Sequence, residues 1–187
     1  SIFMPSSHDY IKDKRNKNIK IFVNDKFYTR DKAKVSVFDS GFLLGDGVWS
    51  GIRYHNNKFL FLKDHLDRLF DDAKKIDLKI HLSKKKITKI LTDTIKINSM
   101  KTDVHLRLVV SRGIKSTPYQ DPAFTISKPT IVVIPEYKQP QNSVYKKGLI
   151  LKTVKTIRGP HNVQDPRINS LSKLNCIIAC IEAKKQN

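Results

Sequence analysis

Gly45, Gly47 and Gly51, within GFLLGDGVWSG (41–51), form the first spacing in the chain that could serve chemistry. Glycines let backbone amides approach a phosphate closely. The run misses G-x-G-x-x-G by one residue and no Lys-Ser or Lys-Thr follows it, so neither a dinucleotide fingerprint nor a P-loop is supported. Taken alone, a flexible turn before a strand is the simpler reading. Arg68 falls off the helical stripe of Leu62, Leu66, Leu69 and Ala73, a placement that suits a ligand and equally plain solvent. Cys176 and Cys180 stand four apart on an expected helix with no histidine pair nearby, and read as small core residues rather than ligands. The six histidines include no H-E-x-x-H, so no metal is expected, and there is no G-x-S-x-G elbow.

The elements that must position these residues can be read from periodicity. Residues 1–18 are polar, charged and without period, and read as a loose arm. IKIFV from Ile19, FYT after a turn at Asn24-Asp25, and KVSVF at 34–38 predict short strands. The glycine run leads into IRYH, and Asn56-Asn57 turns the chain into KFLFL as a hairpin. Leu62, Leu66, Leu69, Phe70, Ala73 and Ile76 predict a helix over 62–76, and Ser83 is a plausible N-cap for a second with Ile87, Ile90, Leu91 and Ile95. VHLRLVV (104–110) and TIVVI (130–134) predict strands on either side of a long loop, 111–128.

The organisation that follows is an α+β protein of two domains. An N-terminal domain covers 19–135, a polar linker 136–147, and the start of a second domain 148–187, with a strand at 148–154 and a helix from Ser170 to Ala183. One strand and one helix cannot bury a core, so the second domain is expected to be incomplete; Ser1 is no normal translation start. The net charge of +19 invites a nucleic-acid reading, but 28 of the 36 basic residues are lysines dispersed along the chain, which points to a solvated surface. No specific nucleic acid and no membrane are expected as partners, since no apolar run approaches the ~20 residues of a membrane span. Two cysteines provide no disulfide framework, which favours a reducing, cytoplasmic home.

Four motifs, in order, carry a family resemblance. GDGVWSGIR (45–53), HLDRLFDDAKKI (65–76), HLRLVVSRG (105–113) and SLSKLNCIIACIEA (170–183) together resemble the class IV, fold-type IV pyridoxal-phosphate enzymes. That group includes branched-chain and D-amino acid aminotransferases and aminodeoxychorismate lyase. The likeness runs from about Lys20 to Ala183.

The resemblance implies pyridoxal 5'-phosphate as cofactor, bound between the domains, and transamination between an amino acid of branched-chain or D type and a 2-oxo acid, in a homodimer when the chain is complete. It implies that Arg68 holds the cofactor phosphate, for which a guanidinium fork is suited. Trp49 matches an aromatic position near the substrate, and Arg107 a strand position that can meet a substrate carboxylate; core packing and a surface strand position are the alternatives. Ser50 departs from the acidic residue common there. Counting back from I-E-A, the Schiff-base lysine position falls on Asn169, which cannot form one. Lys173 lies four residues on, one helical turn away, and is the sole lysine between Lys155 and Lys184. Lys173 is therefore expected as the catalytic and cofactor-binding amine, the alternatives being an inactive binding protein, a fragment, or a basic nucleic-acid module.

Overall fold

The computed structural model describes residues 11–186. Alternating apolar residues dominate six strands, which pair antiparallel throughout. They are β1 (Lys20–Val23), β2 (Lys26–Thr29), β3 (Gly47–His55), β4 (Lys58–Phe59), β5 (Val104–Ser111) and β6 (Thr130–Tyr137), in the spatial order β2-β1-β6-β5-β3-β4. On one face Val48, Ile52, Leu106, Leu108, Val110 and Val133 are sealed from water. Helix α2 (Leu62–Lys75) packs there on β3, and α3 (Lys84–Ile97) on β1 and β6. Leu66, Leu69 and Ala73 form the buried stripe of α2; Ile87, Ile90, Leu91 and Ile95 form that of α3. Ser83 caps α3 by accepting from Lys86 N at 3.2 Å. Asn56 and Asn57 both adopt positive φ, as a two-residue hairpin turn between twisted strands requires.

β4 pairs only with Tyr54 and His55, so the front half of β3 has a free edge. Residues 169–171 occupy it: Trp49 N donates to Asn169 O at 3.0 Å, Leu171 N to Gly47 O at 2.9 Å, and Val48 bridges Ser170. The glycine run is explained by this contact. Gly45, at φ 68°, ends the short helix α1 (Ser40–Leu44), and a Cβ there would lie 2.7 Å from Ser172 Oγ. A Cβ on Gly47 would lie 2.5 Å from Val110 O and 2.6 Å from Leu171 Cδ1. Gly45 and Gly47 serve close packing against a distant segment.

Several elements differ from expectation. KVSVF at 34–38 is not a strand; its end is held by the 111–128 loop, through Lys115 N to Phe38 O at 2.9 Å. Of the expected N-terminal arm, residues 1–10 lie outside the described residues. Lys14–Asn18 forms a 3₁₀ turn, because buried Asn16 mimics a strand end, donating to Tyr137 O at 2.9 Å and accepting from Tyr137 N at 2.8 Å. The expected linker contains the end of β6 and a helix, α4 (Asn142–Lys147). No strand forms at 148–154; the residues just after it, Lys155 and Thr156, donate their N–H groups to Glu182. The last helix, α5 (Leu174–Lys185), starts later than Ser170 because 169–171 is engaged on β3. Cys176 and Cys180, expected in a core, are exposed on α5.

Candidate active site

Three of the four residues singled out from the sequence meet around the Trp49 ring. Trp49 lies on the face of β3 that the helices do not cover, as do Arg107 and His105 on β5. The Arg107 guanidinium stacks over the indole at 3.8 Å, and the Lys173 amine lies 5.6 Å from its centroid. Gly51 stands opposite Arg107 in the strand register, and a Cβ on it would lie 2.7 Å from His105 Nε2. Trp49 Nε1 is buried and has no hydrogen-bond partner among the described residues.

Lys173 is the N-cap residue of α5, so residues 169–173 are not one helical turn as the sequence suggests. The amine nevertheless reaches back, donating to Asn169 Oδ1 at 3.3 Å. Burial pushes the Lys173 ammonium below its ordinary range. Cys176 and Asp72 act against this, and Arg158 and Arg107 with it. Arg158 and Lys173 also line a surface cavity of about 330 Å³ with Asn175 and Cys176.

Arg68 sits apart, exposed on α2, and among the described residues it is not ion-paired. Its Nη2 lies 3.5 Å from His65 Nδ1, which in turn lies 3.1 Å from Ser50 Oγ. A guanidinium only donates, so Nδ1 is the accepting nitrogen and the Ser50 hydroxyl donates to it. Burial lowers the His65 pKa, and the Arg68 charge adds to the effect. Arg68 and Asp72 are one turn apart on α2, roughly 6 Å along its axis, and Asp72 Oδ2 accepts from Asn169 N at 3.0 Å. One helix thus carries the phosphate candidate and the tether of the lysine loop.

Two contributors escaped the sequence reading. Asp72 is 1% exposed, in the middle of the apolar stripe of α2; a charged residue at an inward wheel position was the available signal. His105 lies two residues before Arg107 on the same strand face, and its pKa is lowered to about 4, by burial first and then by Lys138, Arg107, Arg53 and His65. It is neutral at pH 7, on a face that carries Arg107 and also Arg53, which is paired with Asp103 at 3.3 Å, while Glu136 stands opposite His105 in the strand register. The unpartnered indole N–H of Trp49 and the Arg107 guanidinium stacked on its ring together suit an anionic group of a ligand. Among the described residues, no three His, Cys, Asp or Glu side chains gather as a metal site, and no helix is long and apolar enough to cross a membrane.

The sequence profile of the family described as Amino-transferase class IV matches residues 47–187. The chain is 39% identical over 165 residues to a Methanocaldococcus jannaschii protein assigned as a branched-chain-amino-acid aminotransferase, an alignment covering 88% of this chain and 56% of that protein. To the D-alanine aminotransferase of Listeria innocua it is 38% identical over 98 residues, covering 52% of this chain and 34% of that one. In three dimensions it resembles the branched-chain amino acid aminotransferase of T.th. solved with pyridoxamine 5'-phosphate, with a TM-score of 0.78 at 22% identity, covering 90% of this chain and 56% of that one. The branched-chain aminotransferase of Thermoproteus uzoniensis, solved with norvaline, gives a TM-score of 0.71 at 23% identity, covering 90% and 57%. At these identities the structural likeness concerns the fold. The chain thus spans between a third and somewhat over half of the length of these proteins.

Proposed function

The chain belongs to the class IV amino-transferase family, and from that premise we propose that it contributes the lysine, the phosphate anchor and part of the substrate wall to a pyridoxal-phosphate-dependent transamination site. The observation that carries this reading is the Lys173 amine, half-buried against the Trp49 ring and turned toward Asn169. When bound, pyridoxal phosphate supplies an aldehyde carbon and an electron-withdrawing ring that stabilises negative charge at a substrate's α-carbon. Lys173 supplies the amine that holds it, and Nζ then carries the proton taken from the α-carbon. A lysine whose ammonium is destabilised by burial has more free base for both tasks. Arg68 holds the phosphate with a fork that no carboxylate of the described residues occupies, and neutral His65 orients that fork. Arg107, braced on Trp49, meets the substrate carboxylate, with His105 beside it as an uncharged neighbour. The substrates are an amino acid and a 2-oxo acid, of the branched-chain or D type that relatives' names indicate. The complete protein works as a homodimer.

Asn169, at the position where the family's lysine is counted, supports a second reading, a binding protein without turnover. Borohydride reduction of the chain mixed with pyridoxal phosphate separates the two. A labelled peptide containing Lys173 is expected, and Arg68→Ala should weaken cofactor binding by ~1.5–3 kcal/mol. No label at Lys173 would favour the binding protein.

A further inference from the structure

Asn169 uses every polar group it has. Its N–H donates to Asp72 Oδ2 at 3.0 Å, its carbonyl accepts from Trp49 N at 3.0 Å, its Nδ2 donates to Trp49 O at 2.9 Å, and its Oδ1 accepts from the Lys173 amine at 3.3 Å. The orientation of the carboxamide is forced. The Trp49 carbonyl can only accept, so the nitrogen must face it and the oxygen must face the amine. The backbone of Asn169 is clamped equally firmly between β3 and α2. Asp72, the α2 half of that clamp, is 1% exposed; its second oxygen lies 3.3 Å from Lys75 Nζ. A carboxylate buried that deeply is tolerated only when hydrogen-bonded, so the Asp72–Asn169 contact is enforced from both sides.

Resting on the reading of Lys173 as the reactive amine, we infer that Asn169 is a positioning residue for Lys173, with Asp72 as its anchor. Together they hold the Lys173 amine over the Trp49 ring, at the wall of the cavity that it lines with Arg158, Asn175 and Cys176. The acceptor is neutral, and that matters. Lys173 is faced by Asp72 from α2, Arg107 from β5, Arg158 from the preceding loop and Cys176 from α5. A carboxylate at 169 would grip the same amine but would keep it protonated and unreactive near neutral pH. A carboxamide oxygen accepts from the ammonium and from the free amine alike, so position is fixed without fixing charge.

The test needs no cofactor. The unaltered full chain and its variants are acetylated with limiting acetic anhydride across a pH series, and the Lys173 peptide is quantified by mass spectrometry. Asn169→Asp should move the pH midpoint of Lys173 reactivity upward by about 1–3 units, the effect of an opposite charge in contact. Asn169→Ala keeps both backbone bonds and so preserves the fold; it should raise the high-pH plateau rate several-fold, because the amine is released toward solvent. An unmoved midpoint in Asn169→Asp, or an Asn169→Ala profile superimposable on that of the unaltered chain, would overturn the positioning role. Pyridoxal phosphate with borohydride, run in parallel, separates the two failures. No label at Lys173 overturns the transaminase reading and with it the purpose of the pair, whereas label at Lys173 with unmoved acetylation profiles overturns the positioning alone.

Discussion

In the sheet and its two helices, apolar residues that recur at every second, or every third and fourth, position are buried. In residues 148–185 Leu151 is 87% exposed and Ile157 80%, while Leu174, Ile177, Ile178 and Ile181 also face solvent. Composition does not separate the regions, since α5 is rich in isoleucine. What differs is how each region is held. The first is joined by apolar burial across paired strands. The second is joined by polar contacts: Glu182 accepts from Lys155 N at 2.6 Å and from Thr156 N at 2.9 Å, Asn175 donates to Ile157 O at 3.0 Å, and Asn169 and Leu171 pair with β3. These bonds draw the Glu182 carboxyl below its ordinary pKa. Hydrophobic periodicity states which face needs a partner; only the rest of the chain can provide one.

The contrast can be broken most directly at its centre. Leu69→Ala, at a site 1% exposed, should cost about 2–5 kcal/mol in urea unfolding, through lost transfer energy and a cavity. A loss under about 1 kcal/mol would mean that the first region is not the cooperative core.

Acid should act next. The folded His105 pKa of about 4 lies below the ordinary 6.5, so between these values the unfolded chain binds the proton and the folded one does not. Stability from this group is complete above pH 6.5 and is lost as the pH falls to 4, by roughly 1–2 kcal/mol after allowing for solvent screening of a half-buried ring. His105→Gln should remove that portion of the pH dependence; matching slopes in the two proteins would place the ring in water.

Ser83→Ala should cost about 1 kcal/mol, the usual worth of an N-cap, with faster amide exchange confined to the first turn of α3. The smallest effect belongs to the second region. Leu151→Ala, at a site 87% exposed, should change the unfolding free energy in urea by less than about 0.5 kcal/mol, because little surface is removed from protein contact. A loss comparable with that of Leu69→Ala would show the two regions to be equally buried.

Most of the first region was legible in the residues themselves. The stripe of α2, the Ser83 cap, the Asn56-Asn57 turn and the alternation in β5 are local properties, fixed by neighbours within a few positions. KVSVF shows the limit: its alternation suits a strand, yet its end is held by the loop 111–128 instead. The segment 148–154 likewise forms no strand, and the chain after it bonds to Glu182 of α5.

The candidate site divides along the same line. Sequence by itself offered candidate side chains: the one lysine between Lys155 and Lys184, an arginine off a core stripe, a tryptophan in a glycine-rich run and an arginine on an expected strand. The tertiary structure alone decided that Lys173 turns back on Asn169 from a helix cap, that Trp49 lies between Arg107 and Lys173, and that Asp72 points inward to tie α2 to the lysine loop. All but the Lys173–Asn169 contact join residues separated by tens of positions, and the lysine loop reaches Trp49 at a free edge of β3 that exists because β4 is two residues long. No local pattern encodes the length of a distant neighbour's strand, and so the meeting of these residues is a property of the packed chain.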